Sequence, residues 1–115
     1  MKNTKIFTKI IEDNDPSIII YKDKDVTAFH DINPIAPVHI LIVSNRFIKS
    51  TNEINENNKY ILGHMVYISS ILAKKIKIDK KGYRLIINCN EHGGQEIFHL
   101  HMHLLGGKKL GNMLS

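Results

Sequence analysis

His99, His101 and His103 stand at alternate positions in the apolar run that Phe98, Leu100, Met102, Leu104 and Leu105 complete. Imidazole is the side chain that changes charge nearest neutral pH, and its ring nitrogens can attack, accept, donate or ligate. Several chemistries therefore fit the spacing. Imidazoles at i and i+2 on a strand can share a zinc ion, with His39 or Asp31 as further ligands. One ring can instead act as a nucleophile on an anionic substrate while its neighbours move protons and stabilise charge. The bland alternative is a solvated strand face, for which histidine is not a favoured residue.

The spacing requires a strand to work as a set. Successive strand side chains point to opposite faces, so the three imidazoles line one face at steps of roughly 6.6 Å while Leu100, Met102 and Leu104 face the core. On a helix the same residues would be turned about 200° from one to the next and would scatter. The preceding strand is expected over Tyr83 to Asn90, rich in β-formers, with Glu91-His92-Gly93-Gly94 as the turn between them. Pairing of those neighbours brings Asn88 near the histidine face.

The rest of the chain supplies support. Ile6, Phe7, Ile10 and Ile11 have helical spacing and stop before Asn14-Asp15-Pro16, which predicts a short helix. Ile18 to Lys22 and Val26 to His30 form a hairpin. A loop containing Pro34 and Pro37 leads to a strand from Val38 to Val43. Asn45 to Asn58 is a polar connection with room for a helical turn. From Lys59 to Lys77, Ile61, Met65, Ile68, Leu72 and Ile76 mark the main helix, and Leu62, Val66 and Ala73 widen its apolar stripe. A stripe this wide exceeds what one sheet face needs, which points to a homodimer. The order α-β-β-β-α-β-β predicts an α+β domain, an antiparallel sheet with its helices on one side. His64, within the main helix, and His92, in a turn, stay outside the expected site.

With 115 residues and 43% hydrophobic content, the chain suits a single domain over residues 1–115. Its net charge of +5 comes mainly from dispersed lysines, a mild attraction for phosphate-bearing ligands and no more. No arginine-rich run, RNP-like motif or zinc-finger spacing accompanies it, so specific nucleic-acid binding is not expected. The lone Cys89 fits a reducing compartment, and no stretch reads as a signal peptide or membrane span. A cytoplasmic protein is expected.

Gly93-Gly94-Gln95 followed by Phe98-His99-Leu100-His101-Met102-His103-Leu104-Leu105-Gly106-Gly107 resembles the signature of the histidine-triad superfamily, and of its Hint branch in particular. Phe29-His30-Asp31-Ile32-Asn33-Pro34, Ala36-Pro37-Val38-His39-Ile40-Leu41, and Gly82-Tyr83-Arg84 through Asn88 extend the likeness. It implies a dimer whose sheets join into a larger one, and hydrolysis of adenosine or other purine 5′-monophosphoramidates to AMP and an amine. Under that likeness His101 is the nucleophile and forms a covalent nucleotidyl intermediate. His103 and Asn88 hold phosphoryl oxygens, and His99 and His39 support ring orientation and a proton relay behind the nucleophile. Asp31 receives the ribose hydroxyls, and Ile6, Phe7, Ile10, Phe29, His30 and Ile32 clamp the base. Simple core packing is the rival role for the clamp residues.

Some positions depart from the pattern. Where many members carry a CxxC pair and a histidine for zinc, this chain has Lys5, Thr8 and Phe47, so neither metal nor other cofactor is expected. Glu96, counted on the phosphate side, occupies a position where some members have a serine that contacts the phosphate or leaving group. The tail Lys108 to Ser115 lacks the aromatic, proline-rich ending common in the branch. Two other functions compete: hydrolysis of dinucleoside polyphosphates, and a nucleotide-binding interaction protein with incidental catalysis.

Overall fold

The computed structural model describes residues 5–114. α1 (Ile6–Asp13) ends at Asn14, which takes the left-handed conformation and returns its backbone N–H to the Ile10 carbonyl. Asparagine tolerates that conformation better than most residues. β1 (Ile19–Lys22), β2 (Val26–His30) and β3 (Val38–Ser44) follow, then α2 (Tyr60–Lys75), β4 (Tyr83–Ile86) and β5 (His101–Gly106). Short 3-10 turns at Thr51–Glu53 and Glu91–Gly93 fill the longer connections. The strands form a five-stranded sheet in the order β1-β2-β3-β5-β4, and every neighbouring pair is antiparallel. Among the described residues no helix is long and apolar enough to cross a membrane.

The alternation of β3 and β5 divides the interior in two. Ile40 and Ile42 of β3, Met102 and Leu104 of β5, and Leu100 just before it join Ile61, Met65, Ile68 and Leu72 of α2 in the main core. Leu41 and Val43 point the other way and meet Phe29 of β2 and Phe7 of α1 in a smaller cluster. The two helices therefore cover opposite faces, where one shared side was expected. Amphipathic spacing shows that α1 has an apolar stripe, but the parity of Phe29, Leu41 and Val43 decides which face receives it.

Two strands are shorter than their propensities suggest. β4 stops at Ile86, which pairs with His103, and the β-forming residues after it have no ladder partner. β5 begins only at His101, so His99 lies in an irregular segment before the strand. Away from the histidines, Asp23 ties the first hairpin to α2. Its carboxylate accepts from Tyr21 Oη at 2.7 Å and lies 2.6 Å from His64 Nε2, and it also accepts from the backbone N–H groups of Asp25 and Val26, both at 2.8 Å.

Candidate active site

β5 pairs His101 with Val43 and His103 with Leu41 across the ladder to β3. Their rings meet edge to face on the α1 face, with centroids 5.0 Å apart. Phe7, the buried residue of α1, stands edge-on to His101 at 5.1 Å and to His99 at 5.9 Å. His101 Nδ1 is 2.7 Å from the His99 carbonyl oxygen, which can only accept, so Nδ1 carries the ring hydrogen and Nε2 keeps its lone pair. Among the described residues nothing bonds to Nε2, and the only side-chain nitrogen both shut from solvent and unpartnered is His99 Nδ1. His101 Nε2 is therefore a lone-pair nitrogen that keeps some contact with solvent, the condition a nucleophile needs.

His99 is held by its backbone surroundings. Its Nε2 donates to the Ser44 carbonyl at 2.7 Å, and Phe7 and Phe47 flank the ring edge-on. The Leu100 N–H donates to the Ile48 carbonyl at 2.6 Å, and the Leu100 carbonyl accepts from the Ser44 N–H at 3.3 Å. Gln95 reinforces this bracing. Its Oε1 accepts from the Asn90 N–H at 2.8 Å, while its Nε2 donates to the Lys49 and Ile97 carbonyls at 2.9 and 3.1 Å. Thus a buried amide ties the loop after β3 to the loop before β5. In the sequence Gln95 stands only as part of the Gly-Gly-Gln motif, and a polar residue directly after paired glycines is its one local signal.

His39 does not lie behind His101. It faces His103, with His39 Nε2 2.9 Å from His103 Nδ1 and 3.4 Å from Asp31 Oδ2. The Ile35 backbone N–H donates to His39 Nδ1 at 3.1 Å. Asp31 follows β2 and uses Oδ1 to accept from the Asn33 N–H at 2.8 Å. Burial lowers the pKa of His39, opposed by Asp31. Burial likewise lowers those of His99 and His101. His103 is brought down to about 4 by burial and by His101 and His39, with Asp31 opposing. The site is thus a set of neutral imidazoles at pH 7.

The remaining expected residues divide by exposure. Phe7 and Phe29 are buried against the sheet, whereas Ile32 is 84% exposed and His30 is also at the surface. Ile6 is exposed and Ile10 packs against the smaller cluster. Glu96 is exposed. Asn88 is half-buried beyond the end of β4, with its backbone against Gly93. Lys5, Thr8 and Phe47 do come together, lining a surface pocket of about 680 Å³ with Lys9, Glu12 and Asp13. An ammonium, a hydroxyl and a phenyl ring offer no soft donor set, so these positions do not fit zinc.

The HIT domain model matches residues 12–110. The chain belongs to the HIT domain family. It is 49% identical over 115 residues to the purine nucleoside phosphoramidase of Escherichia coli K12, covering 100% of this chain and 97% of that protein. A HIT-like protein of Buchnera aphidicola subsp. Baizongia pistaciae is 72% identical over 108 residues, 94% of this chain and 96% of the relative. Among solved structures, a HIT family hydrolase from Clostridium thermocellum superposes with a TM-score of 0.90 at 45% identity, covering 100% of this chain and 99% of that one. The five-stranded HIT sheet here carries the histidine triad partly on β5 and partly on the segment before it.

Proposed function

We propose that this HIT domain is a purine nucleoside phosphoramidase, hydrolysing adenosine 5′-monophosphoramidates to AMP and an amine. The observation that carries the reading is the held ring of His101: Nδ1 donates to the His99 carbonyl, and Nε2 is neutral, unpartnered and open to the site. The Escherichia coli relative supports the substrate class. His101 Nε2 attacks the α-phosphorus in line with the P–N bond. The bond electrons leave with the amine nitrogen, which takes a proton from water, and a nucleotidyl-histidine remains. A second water then attacks that phosphorus and gives its proton to the hydroxide left by the first, releasing AMP and restoring His101. His103 Nε2 and Asn88 hold the phosphoryl oxygens, Asp31 receives the ribose hydroxyls, and His30, Ile32, Ile6 and Ile10 border the base with Phe7 and Phe29 beneath. No cofactor takes part.

Intact-protein mass spectrometry after brief mixing with an adenosine phosphoramidate tests this. Wild type is expected to gain the mass of an AMP group and to accumulate free AMP, while His101→Ala does neither. Hydrolysis that survived His101→Ala would overturn the assignment.

The working form is a homodimer. Tyr60, Val66, Tyr67 and Ile71 are exposed along α2, Gly63 among them has open space where a Cβ would be, and the neighbouring β4 is an unpaired sheet edge. A second copy joined at this edge extends the sheet and covers the apolar stripe. Sedimentation at micromolar concentration should give twice the 13.2 kDa chain mass; a monomer mass would refute it. The chain's single cysteine, the half-buried Cys89, has no partner within the chain for a disulfide, which suits the reducing cytoplasm.

A further inference from the structure

The two nitrogens of His39 face partners of opposite kind. Nδ1 meets the backbone N–H of Ile35 at 3.1 Å, and a backbone amide can only donate. Nδ1 therefore holds a lone pair, and the ring hydrogen sits on Nε2. From the other side, Nε2 lies 3.4 Å from a carboxylate oxygen of Asp31, which accepts when ionised and so selects the same tautomer. The Nε2–H points at His103 Nδ1, 2.9 Å away, and His103 must accept there and carry its own hydrogen on Nε2. We propose that the backbone N–H of Ile35 is a positioning group that sets the hydrogens of the His39 and His103 pair, making it a fixed strut that presents His103 as a neutral Nε2–H donor rather than a proton relay.

The arrangement resists protonation for a geometric reason. An imidazolium at His103 would need a hydrogen on Nδ1, directly facing the His39 Nε2–H. His39 cannot yield by moving its hydrogen to Nδ1, because the Ile35 N–H already points there. Among the described residues, the titratable groups that act on His103 are His101 on its own strand and His39 on β3, which oppose its charging, and Asp31 beyond β2, which favours it. The loop holding Ile35 is itself braced. The Asn33 N–H donates to Asp31, and Gly107 sits so close to Pro37 and Val38 that a Cβ there would lie 2.9 Å from Pro37 Cβ. The Ile35 side chain is 71% exposed, so its backbone is the part that acts.

Two consequences follow. Resting on the phosphoramidase reading, His103 donates to a phosphoryl oxygen in both chemical steps and surrenders no proton to the amine, since a neutral ring without a refill at Nδ1 would be left as imidazolate. Independently of that reading, Asp31, His39 and His103 place three ligand-type atoms within 4.8 Å of one another yet do not suit a metal. A cation at His39 Nε2 would force the ring hydrogen onto Nδ1, against the Ile35 N–H.

Long-range 15N–1H correlation spectra of the histidine rings, recorded on the ligand-free protein, test the proposal. At pH 7 His39 and His103 should both be Nε2–H tautomers, and Ile35→Ala, which keeps the amide, should show the same pattern. Ile35→Pro removes the donor and should let His39 take a hydrogen at Nδ1, raising the titration midpoint of His103 by about one pH unit. An Nδ1–H tautomer at His39 in wild type, or an unmoved His103 midpoint in folded Ile35→Pro, would overturn it. If Ile35→Pro does not fold, the wild-type tautomers decide alone. Because no substrate is present, the expected tautomers in a protein that hydrolyses no phosphoramidate would remove the function above and leave this lock standing.

Discussion

Acid should unfold this protein earlier than its carboxylates require, and His103 sets the scale. Its folded pKa of about 4 lies below the value near 6.5 of a histidine in the unfolded chain. Between those values the unfolded state binds more protons, so the contribution is fully present above pH 6.5 and is lost as pH falls toward 4. Taking pH 7.5 to pH 4, the single-site linkage amounts to about 3 kcal/mol. His39, His99 and His101 are shifted in the same direction by burial and add to it. Asp23, held far below the ordinary carboxylate range by Tyr21, His64 and backbone donors against the effect of burial, stays charged through this window and acts below it. Urea titrations followed by helix circular dichroism, at one protein concentration, should show the midpoint falling by about 2 M between those pH values for the His103 share alone, at a slope of roughly 1.5 kcal/mol per M. His103→Gln should lose that share and flatten the curve. Parallel curves for the two proteins, or stability that rises on acidification, would refute the reasoning.

Other perturbations separate rigid from yielding neighbours. Gly107→Ala would force a Cβ to 2.9 Å from Pro37 Cβ and 3.3 Å from the Val38 nitrogen at a backbone φ of +90°; a loss of about 2–3 kcal/mol in thermal unfolding is expected. Gly106→Ala meets the terminal Cδ1 of Ile78 at 2.8 Å, a flexible end that can turn aside, and should cost less than half as much in the same assay. Gln95→Ala strands the Asn90 N–H and the Lys49 and Ile97 carbonyls, which predicts roughly 2–3 kcal/mol of destabilisation and a kcat reduced more than KM is raised, because the braced segment ends at the carbonyl that aims His101. Unchanged kcat in the folded variant would show that Gln95 braces the fold alone.

The parts of this structure legible in sequence are those written as period. Leu100, Met102 and Leu104 reach the core, and the stripe from Ile61 to Leu72 packs on them, because alternation and the 3.6-residue repeat act locally. What local pattern lacks is a partner. Ile87 to Asn90 have the propensity to extend β4 but no strand beside them, and His99 leaves the ladder because Ser44 and Ile48, remote in sequence, hold its neighbours. Phe7 and Ile32 are both apolar, and sequence alone gives them a common role; only the fold makes one a buried wedge and the other an exposed surface. The Ile35 donor is a backbone group, identical in every residue but proline, and no letter announces it.

β5 writes the candidate site and the core in alternate residues of one short strand, with Met102 and Leu104 on one face and His101 and His103 on the other. A slip of one residue in its pairing would exchange the two sets, sending imidazoles into the aliphatic interior and thioether and isobutyl groups onto the histidine face. Such a chain could not persist as a well-folded but idle protein, for the error that silences it also strips its interior. Cellular proteolysis, which detects only loss of compactness, would in this way inspect the chemistry as well, and the population that escapes degradation is the population in correct register.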